Sequence, residues 1–253
     1  MKTAENPLLT PARPSGMAAR ASLQRDTAMH LGVAGVLVAG LAGTLAGATG
    51  WGVSYVAQAL GFYMVGAVLI WRGLHSHPFG RFGAANRVTL ARMAVLSMLA
   101  ALVWQAGWEG WVLVAVATGT ALLDAVDGAL ARRSGLASDF GARFDMETDA
   151  AFILVLCVLV VQSGQAGAWL LLAGLMRYLF VAAAFLWPWL GGPLRPSRRR
   201  QTVCVLQVVA LIVCLAPVVA PPLSLWLAAA SLGLLTLSFA IDVRALALQR
   251  PAI

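Results

Sequence analysis

The feature that most constrains this chain is a succession of apolar runs, each close to the roughly 20 residues a helix needs to cross a bilayer. They fall at about 30–48, 52–72, 87–106, 110–131, 143–163, 166–190, 202–220 and 222–246. Only 11% of the residues are charged and 60% are hydrophobic, whereas about a quarter of a soluble domain is charged. Most of the surface must therefore face something other than water. The expected fold class is all-α, a polytopic transmembrane helix bundle of eight spans. Ala46 and Ala48 at the end of the first run resemble a signal-peptide cleavage site. The hydrophilic stretch before that run, residues 1–29, is long for a signal n-region, so the run is read as a span.

The charges lie between the runs, and they are one-sided. On one side fall Lys2, Arg13, Arg20 and Arg25, then Arg72, Arg81 and Arg87, then Arg132, Arg133 and Arg143, then Arg195, Arg198, Arg199 and Arg200, and finally Arg244 and Arg250. The turns on the other side, near 49–50, 106–110, 163–166 and 220–222, hold no Lys or Arg, only Glu109. The positive-inside rule puts both termini in the cytoplasm. The net charge of +8 is thus a topology signal, and nucleic acid is not expected as a partner. Residues 1–25, with Pro7, Pro11 and Pro14, read as a mobile tail. The stretch from 74 to 86 reads as an interfacial connector. His75 and His77 in it stand far from any other ligand and are not read as metal-binding. Cys157, Cys204 and Cys214 lie inside apolar runs without metal-ligand spacing and are read as core residues.

Carboxylates at membrane depth are expensive and mark functional sites by default. Asp124 and Asp127 stand three apart near the cytoplasmic end of the fourth run, and Asp145 and Asp149 four apart at the start of the fifth. Each pair shares a helix face, and a short connection makes the two helices antiparallel neighbours, so the four carboxylates can converge. They would repel one another unless neutralised, and an oxygen-only ligand set suits a hard divalent cation. Two such ions can bridge a diphosphate and stabilise its leaving oxygen. Gly128 and Gly141 leave room for close helices or a ligand, and Arg132 is placed to reach a phosphate or the carboxylates.

In full the pattern reads Asp124-x2-Asp127-Gly128-x2-Ala131-Arg132-x8-Gly141-x3-Asp145-x3-Asp149, preceded by Asn86-x2-Thr89-x2-Arg92. It resembles the signature of the CDP-alcohol phosphatidyltransferase family at all eight positions and every spacing. The resemblance spans about residues 80–246. It divides the chain into a tail (1–29), two additional helices (30–73), the connector (74–86), a six-helix core (87–246) and a second tail (247–253). It implies that Asp124, Asp127, Asp145 and Asp149 hold two Mg²⁺ or Mn²⁺ ions on the CDP diphosphate. Asp149 would also take the proton from the acceptor hydroxyl. Gly128, Ala131, Arg132 and Gly141 would shape the CMP pocket, with Asn86 and Thr89 close by. CDP-diacylglycerol is the implied donor, CMP the leaving group, a homodimer the implied assembly, and the cytoplasmic membrane the location.

The acceptor is less defined. Arg177, in mid-helix, is read as facing the polar cavity and binding an acceptor phosphate or an aspartate, with a purely structural ion pair as the other reading. Arg195, Arg198, Arg199 and Arg200 are read as candidates for holding an acceptor phosphate, beside their topological role. Glycerol 3-phosphate or phosphatidylglycerol is favoured, with inositol phosphate, serine and other alcohols behind. The segment departs from the Lys-x-Lys-Thr-x2-Gln of phosphatidylglycerophosphate synthases, since Thr202 precedes Gln207 by five. Glu147, two residues from both Asp145 and Asp149, is read as pointing away from them towards a basic partner. Rival readings are a membrane prenyltransferase, a cation or proton transporter, and a silent scaffold. The first would separate its acidic motifs more widely than 124 to 149. The second would carry repeats or broken helices. The intact signature argues against the third.

Overall fold

The computed structural model of the chain describes residues 16–134, 138–192 and 197–249, the side chains of residues 125–134 excepted. Among the described residues there are eight α-helices and no strand: α1 (Gly16–Thr49), α2 (Gly52–Gly73), α3 (Ala84–Ala101), α4 (Gly110–Ser134), α5 (Asp139–Gln162), α6 (Leu171–Leu186), α7 (Arg198–Cys214) and α8 (Leu223–Leu248). The expected all-helical bundle is therefore what the chain forms. Among the described residues, five stretches are long and apolar enough to cross a membrane: Met17–Thr49, Gly52–Ser76, Ala84–Trp104, Ala168–Leu186 and Leu223–Leu248. Of the other helices, α5 opens with five charges in its first eleven residues, from Asp139 to Asp149. The remaining two are α7, with 17 residues, and α4, whose apolar stretch runs from Gly110 to Asp124. The helices that fall short thus include α4 and α5, which carry Asp124, Asp127, Asp145 and Asp149.

Helix α3 sits at the centre. In its apolar window 56% of the residues are buried, against 17% in α1 and α6, and it packs on α1, α2, α4 and α5. A central helix in lipid can carry polar side chains only on faces that neighbours cover. Asn86, Thr89, Arg92 and Ser97 are all buried there. The outer helices present Leu, Val, Phe and Trp outward, as surfaces bathed in acyl chains require.

Hydrogen bonds between loops show that the chain runs back and forth. At one end Asp26 meets Phe82 and His77 meets Ser138. At the other, Trp51 donates to the Ala106 carbonyl, Gln105 to Gln58, Gln162 to the Gln105 carbonyl and Ser224 to the Gln165 carbonyl. Alternate connections therefore gather at opposite ends, the arrangement the alternating charge pattern implies.

One expectation needs correction. The reading of residues 1–25 as a mobile tail fails from Gly16 onward, where α1 is already helical. Residues 16–29 are rich in Ala, Arg, Leu, Gln and Met, all good helix formers. Leu23 and Thr27 are buried, because this extension docks instead of waving in water. Residues 1–15 lie outside the described residues. Helix α3 also starts at Ala84, three residues ahead of 87. Gly83 precedes it with φ at +88°, a backbone state that a residue with a side chain rarely adopts.

Candidate active site

The site is built where α3, α4 and α5 meet. Helix α5 starts cleanly: the Ser138 hydroxyl accepts from the Gly141 N–H at 3.1 Å, an N-cap that satisfies one of the first-turn donors. Six and ten residues into that helix stand Asp145 and Asp149, on one face. Asp124 comes from α4. One ligand oxygen from each of Asp124, Asp145 and Asp149 lies within 4.8 Å of the others. The convergence expected from the spacings is thus seen for these three. The side chains of Asp127, Ala131 and Arg132, and Gly128 with them, lie outside the described residues, as does Arg195.

Arg92 of α3 is the residue the sequence reading underused. Its place in the Asn86-x2-Thr89-x2-Arg92 pattern implies no role by itself, and the structure puts it at the centre. Its guanidinium bonds Asp124 Oδ1 at 2.8 Å and Asp145 Oδ1 at 2.7 Å, and pairs with Asp149 through the other terminal nitrogen. Arg92 is 1% exposed, whereas the three carboxylates are 30–41% exposed. The arginine therefore backs the site and the carboxylates open away from it. A rigid guanidinium fork can bridge several carboxylates where an ammonium cannot. The signal available in the sequence was a lone cation inside an apolar run, on the face that also carries Asn86 and Thr89.

Charge decides what the cluster can hold. Three carboxylates and one guanidinium leave a net of −2. That balance, with oxygen-only donors that are close together and partly open, fits a hard divalent cation.

Beside the carboxylates the first turns of α3 and α5 are in close contact. Asn86 Nδ2 donates to the Phe82 carbonyl at 2.6 Å. A Cβ on Gly141 would lie only 2.8 Å from Asn86 Oδ1. Asn86 and Gly141, expected in one pocket, are thus brought together. Thr89 is 2% exposed and donates to the Ala85 carbonyl at 3.2 Å. His77 holds the same corner: its Nε2 lies 2.9 Å from the Arg81 carbonyl and its Nδ1 3.0 Å from Ser138 Oγ. A carbonyl only accepts, so Nε2 carries a proton.

The acceptor candidates are spread out. Arg177 of α6 pairs with Glu147 of α5 and not with the aspartate cluster, and Glu147 has the basic partner expected of it. Arg199 donates to Asp242 at 2.5 Å and to the Ser238 carbonyl at 2.6 Å, tying α7 to α8. Arg200 lies 3.5 Å from the same carboxylate, and Arg198 is exposed. Further along α7, Cys204 is near enough to feel the charges of Asp124, Asp145, Asp149 and Arg92. Cys204 thus lies on the side of α7 that approaches the cluster, while Arg199 and Arg200 are engaged with Asp242 of α8.

A sequence model described as CDP-alcohol phosphatidyltransferase matches residues 82–238. The match starts in the connector, takes in α3 to α7 and most of α8, and leaves out α1 and α2. Comparison with curated proteins and with solved structures gave no match.

Proposed function

The chain belongs to the CDP-alcohol phosphatidyltransferase family, whose chemistry is phosphatidyl transfer from a CDP-linked alcohol, and from that premise we propose that it moves a phosphatidyl group from CDP-diacylglycerol to an alcohol acceptor with release of CMP. The observation that carries the reading is the convergence of Asp124, Asp145 and Asp149 within the matched region, open to solvent and backed by Arg92.

Asp124, Asp145 and Asp149, joined by Asp127 of the same signature, are the residues that would hold divalent metal, proposed as two Mg²⁺ or Mn²⁺ ions. When bound, the metal neutralises the diphosphate and the charge that builds on its leaving oxygen. The chain's own residues do the rest. Arg92 balances part of the carboxylate charge and fixes the three side chains from behind, so little reorganisation is needed when the donor arrives. Gly141, Gly128, Ala131 and Arg132 form the CMP pocket, with Asn86 and Thr89 setting its wall. Asp149 accepts the proton of the acceptor hydroxyl. The freed oxygen forms a bond to the phosphorus next to the lipid, the bond from that phosphorus to the CMP oxygen breaks, and CMP leaves with the electron pair.

The acceptor is proposed to be a phosphate-bearing alcohol, glycerol 3-phosphate or phosphatidylglycerol, because Arg198 and Arg200 stand in the first turn of α7, a helix that packs on α4 and α5, and guanidinium suits phosphate. Both termini and the site are proposed to face the cytoplasm, on the strength of the one-sided loop charges, and the enzyme to work as a homodimer in the cytoplasmic membrane. The test is CMP release from CDP-diacylglycerol by purified protein with Mg²⁺ or Mn²⁺ across a panel of acceptors. Turnover should need one acceptor class and fall more than about a hundredfold with a chelator or in Asp149→Asn, since even groups that merely support a metal ligand are worth 10- to 100-fold. Release unaffected by either control would sink the proposal.

A further inference from the structure

Helices α1 and α2 lie outside the family match, yet α1 reaches the corner on which the site is built. Asp26 Oδ2 accepts the Phe82 N–H at 2.8 Å. Phe82 is fully buried, and its own carbonyl accepts from Asn86 Nδ2. Asn86 Oδ1 in turn faces Gly141, the first turn of α5. A chain of contacts thus runs from α1 through the connector to the α3–α5 junction. His30, which hydrogen-bonds the Asp26 carbonyl at 2.7 Å, lays its ring 6.3 Å from that of Phe82. Gly80 comes close to Ala19, so the connector is held at a second point. Tyr63 of α2 donates to the Leu31 carbonyl at 2.6 Å and fixes α1 from the other side.

The electrostatics make the contact more than packing. Helix α3 begins at Gly83, with no side-chain cap and no acidic residue in its first turn. The first N–H groups of a helix are unpaired and carry partial positive charge, which a carboxylate stabilises. Asp26 places that carboxylate just ahead of the first turn from another helix, since the N–H it accepts is that of Phe82, one residue before the N-cap Gly83.

We propose that Asp26 is a positioning residue for the donor site: it holds the entrance of α3 so that Asn86 keeps its contact with Gly141 and the nucleotide pocket keeps its shape. The inference rests on the reading that Asn86 and Gly141 border the CMP pocket. It gives α1 a task in catalysis that membrane anchoring alone would not require.

The test uses the full-length protein in Asp26→Ala, Asp26→Asn, Asn86→Ala and the Asp26→Ala/Asn86→Ala pair. Asp26→Ala should raise the KM for CDP-diacylglycerol about five- to tenfold, the scale of one ordinary hydrogen bond, because the loss reaches the donor site only through Phe82 and Asn86, while the acceptor KM stays put. Asp26→Asn keeps an accepting oxygen and should restore most of the donor KM. The double variant should be no worse than Asn86→Ala alone, because both act on one chain of contacts. A loss of folded protein with both KM values unchanged, or effects that multiply in the double variant, would overturn the inference. Amide hydrogen exchange over residues 82–90 separates this idea from the pocket reading. Asp26→Ala should speed exchange there and Asp26→Asn should not, whatever Asn86→Ala does to the donor KM. Exchange unchanged in Asp26→Ala overturns the Asp26 role, whereas a donor KM indifferent to Asn86→Ala overturns the pocket reading. Should Asp26→Ala not fold, Asp26→Ser, too short to reach the Phe82 N–H, takes its place in every arm.

Discussion

Arg92 carries a double burden. It is the largest fully buried side chain among the described residues, and a cation in lipid costs about 3 kcal/mol or more unless it is paired. Its three carboxylate partners meet that cost, and in return it holds their mutual repulsion in check. Removing it should therefore hurt stability through the carboxylates left behind. We expect Arg92→Ala to lose about 2–3 kcal/mol, the low end of the range for breaking a buried pair because the carboxylates are partly open. Arg92→Lys should lose less, keeping the charge but not the fork. Divalent metal binds only the folded cluster and stabilises by mass action. Added Mg²⁺ should therefore narrow the gap between Arg92→Ala and the parent in thermal unfolding. A gap that does not respond to Mg²⁺ would mean that the cluster is not where the metal sits.

At the level of elements, the helices that matter are held by what crosses between them. Sequence spacing placed Asp145 and Asp149 on one face and predicted that α4 and α5 would bring their aspartates together, because both statements follow from helix geometry. The crossing partners were not legible. Arg92 lies 53 residues from Asp145, and no periodicity links them. Asp26 falls in the stretch 1–29 that reads as a tail, and nothing local in its sequence reveals its partner, the Phe82 N–H 56 residues on. His77 looked like a stray connector histidine, and its bond to Ser138 Oγ spans 61 residues. Gly141 shows how tight the α3–α5 crossing is. Asn86 is pinned by its bond to the Phe82 carbonyl, so it cannot easily yield to a methyl group at 2.8 Å. Gly141→Ala should destabilise the protein by about 1–3 kcal/mol, as overpacking does. It should also raise the donor KM while leaving the acceptor KM near the parent value. Thermal unfolding and the two KM values check this. An alanine tolerated on both counts would mean that the two helices are not in van der Waals contact.

For the whole molecule, the question is which end of the bundle faces the cytoplasm. The site lies towards the end that gathers Asp26, His77, Phe82 and Ser138. The same end receives the arginines of the connector and of the start of α7, while the opposite end carries Glu109 and no Lys or Arg among its turns. A donor made water-soluble at its nucleotide end must reach the carboxylates from one side only, so sidedness and substrate access are one question. Cys157 and Cys214 are buried and Cys204 is partly buried, so a Cys204→Ser background leaves little native labelling beside the introduced thiols. Ser76 and Glu109 are both exposed and lie at opposite ends. In sealed right-side-out vesicles a membrane-impermeant maleimide should label Glu109→Cys and spare Ser76→Cys, and inverted vesicles should reverse the result. CMP release from externally added donor should then appear in the inverted vesicles alone. Labelling in the opposite sense would place the carboxylates outside. It would also mean that the arginine-rich loops are held there by something stronger than the charge bias that normally orients them.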